Sequence, residues 1–149
     1  MTNEFLNEIF LNKSFLAAFS AWFITQCLKV LISAIKEKRF DFKWFVSTGG
    51  FPSTHSAIVS ALATSIGLNF GFGSGLFAIA MVLAGIVIFD ARIIRKAAGK
   101  QAEVLNKILK DLNKKEGFKT KRLRELLGHT SIEVFGGIVF GILIASMFY

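Results

Sequence analysis

A single cysteine, Cys27, a single proline, Pro52, and only two histidines, His55 and His129, stand in 149 residues. One cysteine allows neither an intrachain disulfide nor a cysteine metal cluster. Because Cys27 falls inside an apolar run, its thiol is expected to serve packing. One proline leaves no proline-rich linker. A GxxxxGK[ST] phosphate loop, a glycine-rich dinucleotide fingerprint and any His/Cys/Asp spacing suited to zinc are also absent, which argues against a nucleotide-driven or zinc enzyme. With no internal repeat and no low-complexity tract, residues 1–149 are read as one domain. Acidic residues are scarce too, ten against eighteen Lys and Arg, for a formal net charge of +8.

What the chain has in abundance is apolar surface. Hydrophobic residues make up 53%, seventeen of them phenylalanine, and the mean hydropathy is +0.56. A soluble domain of this size does not need so much. Ser14 to Ile35 is an apolar stretch interrupted by Lys29 and a few small polar residues, long enough at ~1.5 Å per residue to cross a ~30 Å hydrocarbon core. Shorter stretches run from His55 to Phe72, Gly73 to Phe89 and Ile132 to Phe148. The pattern predicts an all-α polytopic membrane bundle of about four spans. Arg92 to Leu112 is expected to continue the third span as a basic amphipathic helix along the membrane surface, with Ile93, Ile94, Ala97, Ala98, Val104, Leu105, Ile108 and Leu109 at roughly helical spacing. Gly71, Gly73 and Gly75 are expected to permit tight turning and close helix approach.

The positive charge is unevenly placed. Lys36, Lys38, Arg39 and Lys43 follow the first span, and a dense basic run from Arg92 to Arg124 separates the third from the fourth. The 68–76 turn and the carboxyl end carry no charge, and the amino-terminal arm has Lys13 against Glu4 and Glu8. The positive-inside rule puts both basic loops in the cytoplasm. Glu4 and Glu8 stand where a signal peptide would be basic, so the first span is expected to remain in the mature protein.

Chemistry concentrates at two predicted helix starts. In Gly49-Gly50-Phe51-Pro52-Ser53-Thr54-His55-Ser56, Ser53 or Thr54 can cap a helix whose first N–H groups and dipole favour an anion beside His55. In Gly128-His129-Thr130-Ser131-Ile132-Glu133, His129 and Glu133 are four apart, so a carboxylate can accept the Nδ1–H and leave Nε2 as a nucleophile. The same residues also match a capping box in which Glu133 returns to a backbone N–H. Lys29, Asp90 and Glu133 are ionisable groups at or within spans, which by default suggests function. Lys29 could instead snorkel towards headgroups, and Asp90 could simply pair with Arg95. Lys29, Arg39, Arg95 and Arg124 are the natural phosphate ligands near these histidines.

Taken together, Lys29, Arg39, the 49–57 segment, Phe89-Asp90-Ala91, Arg95, Gly99-Lys100-Gln101-Ala102, Leu105-Asn106 and Glu125-Leu126-Leu127-Gly128-His129-Thr130 resemble the divergent branch of the type 2 phosphatidic acid phosphatase family. That group is related to acid phosphatases and vanadium-dependent haloperoxidases, and the resemblance runs from about Phe23 to Gly141. It implies that His129 attacks phosphorus, that Glu133 orients it and that His55 protonates the leaving group. It further implies that Lys29, Arg39 and a later arginine (Arg95, Arg122 or Arg124) hold the phosphoryl oxygens, with Ser53 and the amides near Thr54 assisting and Asp90 in support. The chain departs from the main family's pattern at Thr54, where glycine is usual, at Glu133, where aspartate is usual, and in the spacing around Arg39. The implied reaction is metal- and cofactor-free hydrolysis of a lipid phosphate or prenyl pyrophosphate at the cytoplasmic face of a bacterial inner membrane. The alternative is a noncatalytic membrane protein that binds anionic headgroups or scaffolds partners. The partners implied are a phosphorylated lipid and the bilayer, not nucleic acid, with a homo-oligomer left open.

Overall fold

A computed structural model of the chain describes residues 2–38, 50–116, 123 and 128–149. Its regular structure over these residues is all helical: α1 (Thr2–Leu11), α2 (Lys13–Glu37), α3 (Thr54–Phe70), α4 (Gly75–Phe89), a π-turn (Asp90–Ile94), α5 (Arg95–Glu116) and α6 (Ser131–Ser146). Side-chain caps set the starts. Asn12 Oδ1 accepts from Phe15 N–H at the head of α2, Ser53 Oγ from Ser56 N–H at α3, and Ser74 Oγ from Phe77 N–H at α4. Each satisfies one N–H that the first turn of a helix leaves without an intrahelical acceptor.

The bundle is apolar outside and small inside. Along α2, Ser14, Ala17, Ala21, Thr25, Gln26, Lys29, Val30 and Ser33 are buried, while Phe15, Phe19, Phe23, Leu31 and Ile35 are exposed. α4 buries Ala80 and Ala84 and exposes Leu76, Ile79, Val82 and Ile86. Among the described residues the largest fully buried side chains are Thr25, Pro52, Ser53, Ser56 and Ser65, so no large aliphatic or aromatic group there is fully enclosed. In water this arrangement would expose the groups that drive folding; in lipid the large apolar groups face acyl chains and small residues let backbones approach.

The closest approach joins α3 to α6. A Cβ at Gly137 would meet the carbonyl oxygen of Ser53, and one at Gly141 would meet that of Ala57 and lie 3.0 Å from Ala61 N. This corrects the expected role of the earlier glycines: Gly71 supplies a positive φ of 89° at the α3–α4 turn, but a Cβ at Gly73 or Gly75 would meet nothing within 4 Å. Turning is served there, and close packing elsewhere. At the end of the bundle away from the histidines, Ser65 Oγ lies 3.1 Å from Ser14 Oγ and 2.8 Å from the Tyr149 hydroxyl. Lys13 Nζ sits 4.9 Å over the Tyr149 ring.

The protein is an all-α membrane helical protein. Among the described residues two helices, Lys13–Ile35 and the continuous Gly75–Asp111, are long and apolar enough to cross a bilayer. α3 and α6, at 17 and 16 residues, reach about 25 Å, short of a ~30 Å hydrocarbon core. Length therefore supports two of the four expected spans. The basic helix continues α4 through the π-turn, and its Val104, Leu105 and Ile108 are exposed.

Gly137→Ala should lower the apparent Tm in detergent, because overpacking against backbone typically costs about 1–3 kcal/mol. Gly85→Ala, where a Cβ meets nothing within 4 Å, should leave Tm unchanged or raise it slightly. Equal effects would contradict the assigned interface.

Candidate functional site

His55 is the second residue of α3, and His129 immediately precedes Thr130, the N-cap of α6. The close α3–α6 contact brings their rings to a centroid separation of 5.8 Å with an interplanar angle of 60°. A backbone bond secures the contact, Ser53 N–H donating to Glu133 O at 2.9 Å. His55 Nδ1 and His129 Nε2 are both buried with no hydrogen-bond partner among the described residues. Buried polar atoms are normally satisfied, so two such nitrogens on adjacent rings make this the place where a polar ligand belongs.

The two readings of Glu133 hold at once. Its Oε2 accepts from Thr130 N–H at 2.9 Å, while Thr130 Oγ1 accepts from Glu133 N–H at 3.3 Å, completing the capping box. The same Oε2 lies 3.2 Å from His129 Nδ1. A carboxylate in this position is acceptor-only, which assigns the proton to Nδ1 and the lone pair to Nε2. His129 is only 4% exposed. Burial pushes its pKa below the ordinary imidazole value, the hydrogen bond and charge of Glu133 oppose that shift, and the positive charges of Lys29 and Arg95 add to it.

Two described cations serve the pair. Lys29 is 3% exposed on α2, which corrects the snorkelling alternative, and it interacts electrostatically with Glu133 and both histidines. Arg95, at the start of α5, pairs through Nε with Asp90 Oδ2 at 3.3 Å. The expected Asp90–Arg95 ion pair is thus present, and both charges act on His55. Arg39, Arg122 and Arg124 lie outside the described residues.

Ser53 and Thr54 are engaged within the protein. Ser53 Oγ caps α3 and accepts from Ser56 Oγ at 3.1 Å, and Thr54 Oγ1 donates to Gln26 Oε1 at 3.4 Å. What α3 turns to the histidines is its N-terminal end, where Thr54 and His55 N–H have no intrahelical acceptor by position. Among the described residues no three His, Cys, Asp or Glu side chains group closely enough to hold a metal ion. Cys27 is a free thiol, half-buried in α2.

Sequence reasoning missed several contributors. Gln26 is a buried amide within a span, and that position alone could have flagged it. Ser33, buried one turn beyond Lys29, has a hydroxyl without a partner among the described residues. The carbonyl of Ala91 accepts the His129 N–H at 3.1 Å, and Gly128 has a φ of 64°. No residue type announces the Ala91 contact, because it comes from a local change in helix pitch.

Comparison with known proteins bears on this arrangement. The model of the Divergent PAP2 family matches residues 10–144, a range that contains every residue of the site. A protein of Bacillus subtilis (strain 168), named as the uncharacterized membrane protein YuiD, is 41% identical over 148 residues, covering 92% of this chain and 94% of the relative. No solved structure matches the chain. Since both matches run nearly end to end through the membrane helices and the paired histidines, the chain belongs to the Divergent PAP2 family.

Proposed function

We propose that the protein is a metal-independent membrane phosphatase that hydrolyses a lipid phosphate or prenyl pyrophosphate through a phosphohistidine at the cytoplasmic face. The observation that carries this reading is the pair of imidazoles 5.8 Å apart, each with a buried nitrogen that has no partner among the described residues. In the first step His129 Nε2 attacks phosphorus and the bond from phosphorus to the lipid oxygen breaks. His55, protonated once the phosphate dianion is bound beside it, gives that proton to the departing oxygen and is left as the neutral base for the second step. In the second step water attacks phosphorus, His55 takes the water proton, and the N–P bond breaks to release inorganic phosphate. Glu133 stabilises the positive charge that forms on the His129 ring. Lys29, Arg95 and the N-terminal amides of α3 hold the phosphoryl oxygens, with Arg39 and Arg124 the further expected ligands. The cytoplasmic orientation and the bacterial inner membrane rest on the positive-inside distribution of the basic loops.

A second reading is favoured by α5 alone. Its exposed Val104 and Leu105, together with Lys100 and Gln101, line an open depression of about 470 Å³. That surface suits a noncatalytic contact with anionic headgroups.

Detergent-purified protein should release phosphate from phosphatidic acid, phosphatidylglycerol phosphate or undecaprenyl pyrophosphate in the presence of chelator, and His129→Ala should reduce turnover at least ~10³-fold. Release that survives His129→Ala would overturn the phosphohistidine mechanism, and no release from any of the three would overturn the phosphatase reading in favour of headgroup binding.

The pH profile supplies another test. Because burial lowers the His129 pKa, the free-base nucleophile persists to lower pH than an ordinary imidazole would. The acid limb of kcat/KM, which reports the free enzyme, should therefore lie below the usual histidine value of about 6.5. Glu133→Gln removes the carboxylate charge that raises this pKa, so the limb should move further down while kcat falls at least ~10²-fold. An unmoved limb would mean that another group sets it.

A further inference from the structure

In an α-helix the Arg95 N–H would close on the carbonyl of Ala91, four residues back. Here it donates to Asp90 O, five residues back, within the π-turn Asp90–Ile94. The carbonyl so released is not left empty: Ala91 O accepts the His129 N–H at 3.1 Å. Ala91 is fully buried, where an unpaired carbonyl would be costly. Gly128 presses onto the same stretch with φ 64°, and a Cβ there would come within 2.9 Å of Lys96 Cβ and 3.1 Å of Arg92 O. Residues 128 and 129 therefore rest directly on the widened part of the helix. The turn has a second effect. Positions five apart on an α-helix diverge by about 140°, yet Asp90 and Arg95 pair at 3.3 Å.

We infer that the π-turn is a positioning device for the nucleophile: by releasing the Ala91 carbonyl it holds the backbone of His129 so that the ring faces His55. It also turns Arg95 towards the same pair. This inference rests on the phosphohistidine reading and adds to it a residue, Ala91, that acts through its backbone and touches no substrate. Single π-turns inside α-helices are frequent at functional sites because one extra residue changes hydrogen bonding locally while the flanking helices continue. An error of ~1 Å in the placement of a reacting group can cost about a hundredfold in rate.

Two variants separate this role from general support of the fold. Deleting Ile93, which is exposed, places Asp90 and Arg95 four apart, a spacing at which they still pair in an α-helix, and hands the Ala91 carbonyl to the N–H of Lys96. The His129 hook is lost and the ion pair kept. Gly128→Ala disrupts the contact from the other side without altering the helix. With phosphatidic acid as substrate and inorganic phosphate as competing ligand, kcat should fall about a hundredfold in each variant. In Gly128→Ala KM and the phosphate inhibition constant should stay within about threefold, because Lys29 and Arg95 remain in place, whereas the deletion, which removes the turn that directs Arg95, should also weaken phosphate binding. A folded variant with kcat within threefold of wild type overturns the inference while leaving the phosphatase reading intact. So does a parallel loss of phosphate affinity in Gly128→Ala, or failure of both variants to fold, since each makes the contact a requirement of the structure and not of the reaction. A wild-type protein that releases no phosphate overturns both.

Discussion

The approach of α6 to α3 is the constraint on which the rest of the molecule depends. Gly137 and Gly141 leave no room for a side chain between the two backbones, and the Ser53 N–H to Glu133 carbonyl bond locks their first turns together. Neither helix carries a site alone. Each contributes one histidine at its start, and the rings face one another because the backbones are as close as glycine permits. Burial of His129 belongs with that contact, and burial lowers its basicity, whereas its bond to Glu133 is local to the start of α6.

The charged groups are tolerated because they are arranged in reciprocal pairs. Lys29 would be expensive in an apolar bundle without a counter-charge, and Glu133 supplies one. Asp90 and Arg95 offset one another at the membrane-proximal end of α5. With the two imidazoles neutral, the described cluster carries balanced charge, and the unpartnered nitrogens mark where a further polar group can enter without breaking an existing pair.

Much of the fold was legible in the sequence, because long apolar runs, caps and basic loops are local signals. Ser14 to Ile35 announced α2, and the Thr130–Glu133 pattern announced the start of α6. The pairing of His55 with His129 could be anticipated only from their similar positions at helix starts, 74 residues apart by numbering. Close packing was assigned to the wrong glycines, since Gly71, Gly73 and Gly75 look alike in sequence to Gly137 and Gly141 and only the neighbouring helix distinguishes them. The Ala91 carbonyl was beyond reach because any residue offers the same backbone group. Two readings of Glu133 that looked exclusive were compatible because one carboxylate oxygen has room for two donors.

The small side chains of the interior also bear on how the site is held ready. Alanine and glycine surrender no rotamer freedom when buried, and the long flexible side chains are the ones that do. In this bundle Ala17, Ala21, Ala57, Ala61 and Ala145 form the core, while most of the exposed phenylalanines and isoleucines keep their torsional freedom among lipid chains. Assembly therefore freezes little side-chain entropy at these alanines, the buried Lys29 and Gln26 being the exceptions that cost more. The histidines sit in a frame that cannot readily re-sort itself, so the geometry that meets an arriving ligand is the one already present before it arrives.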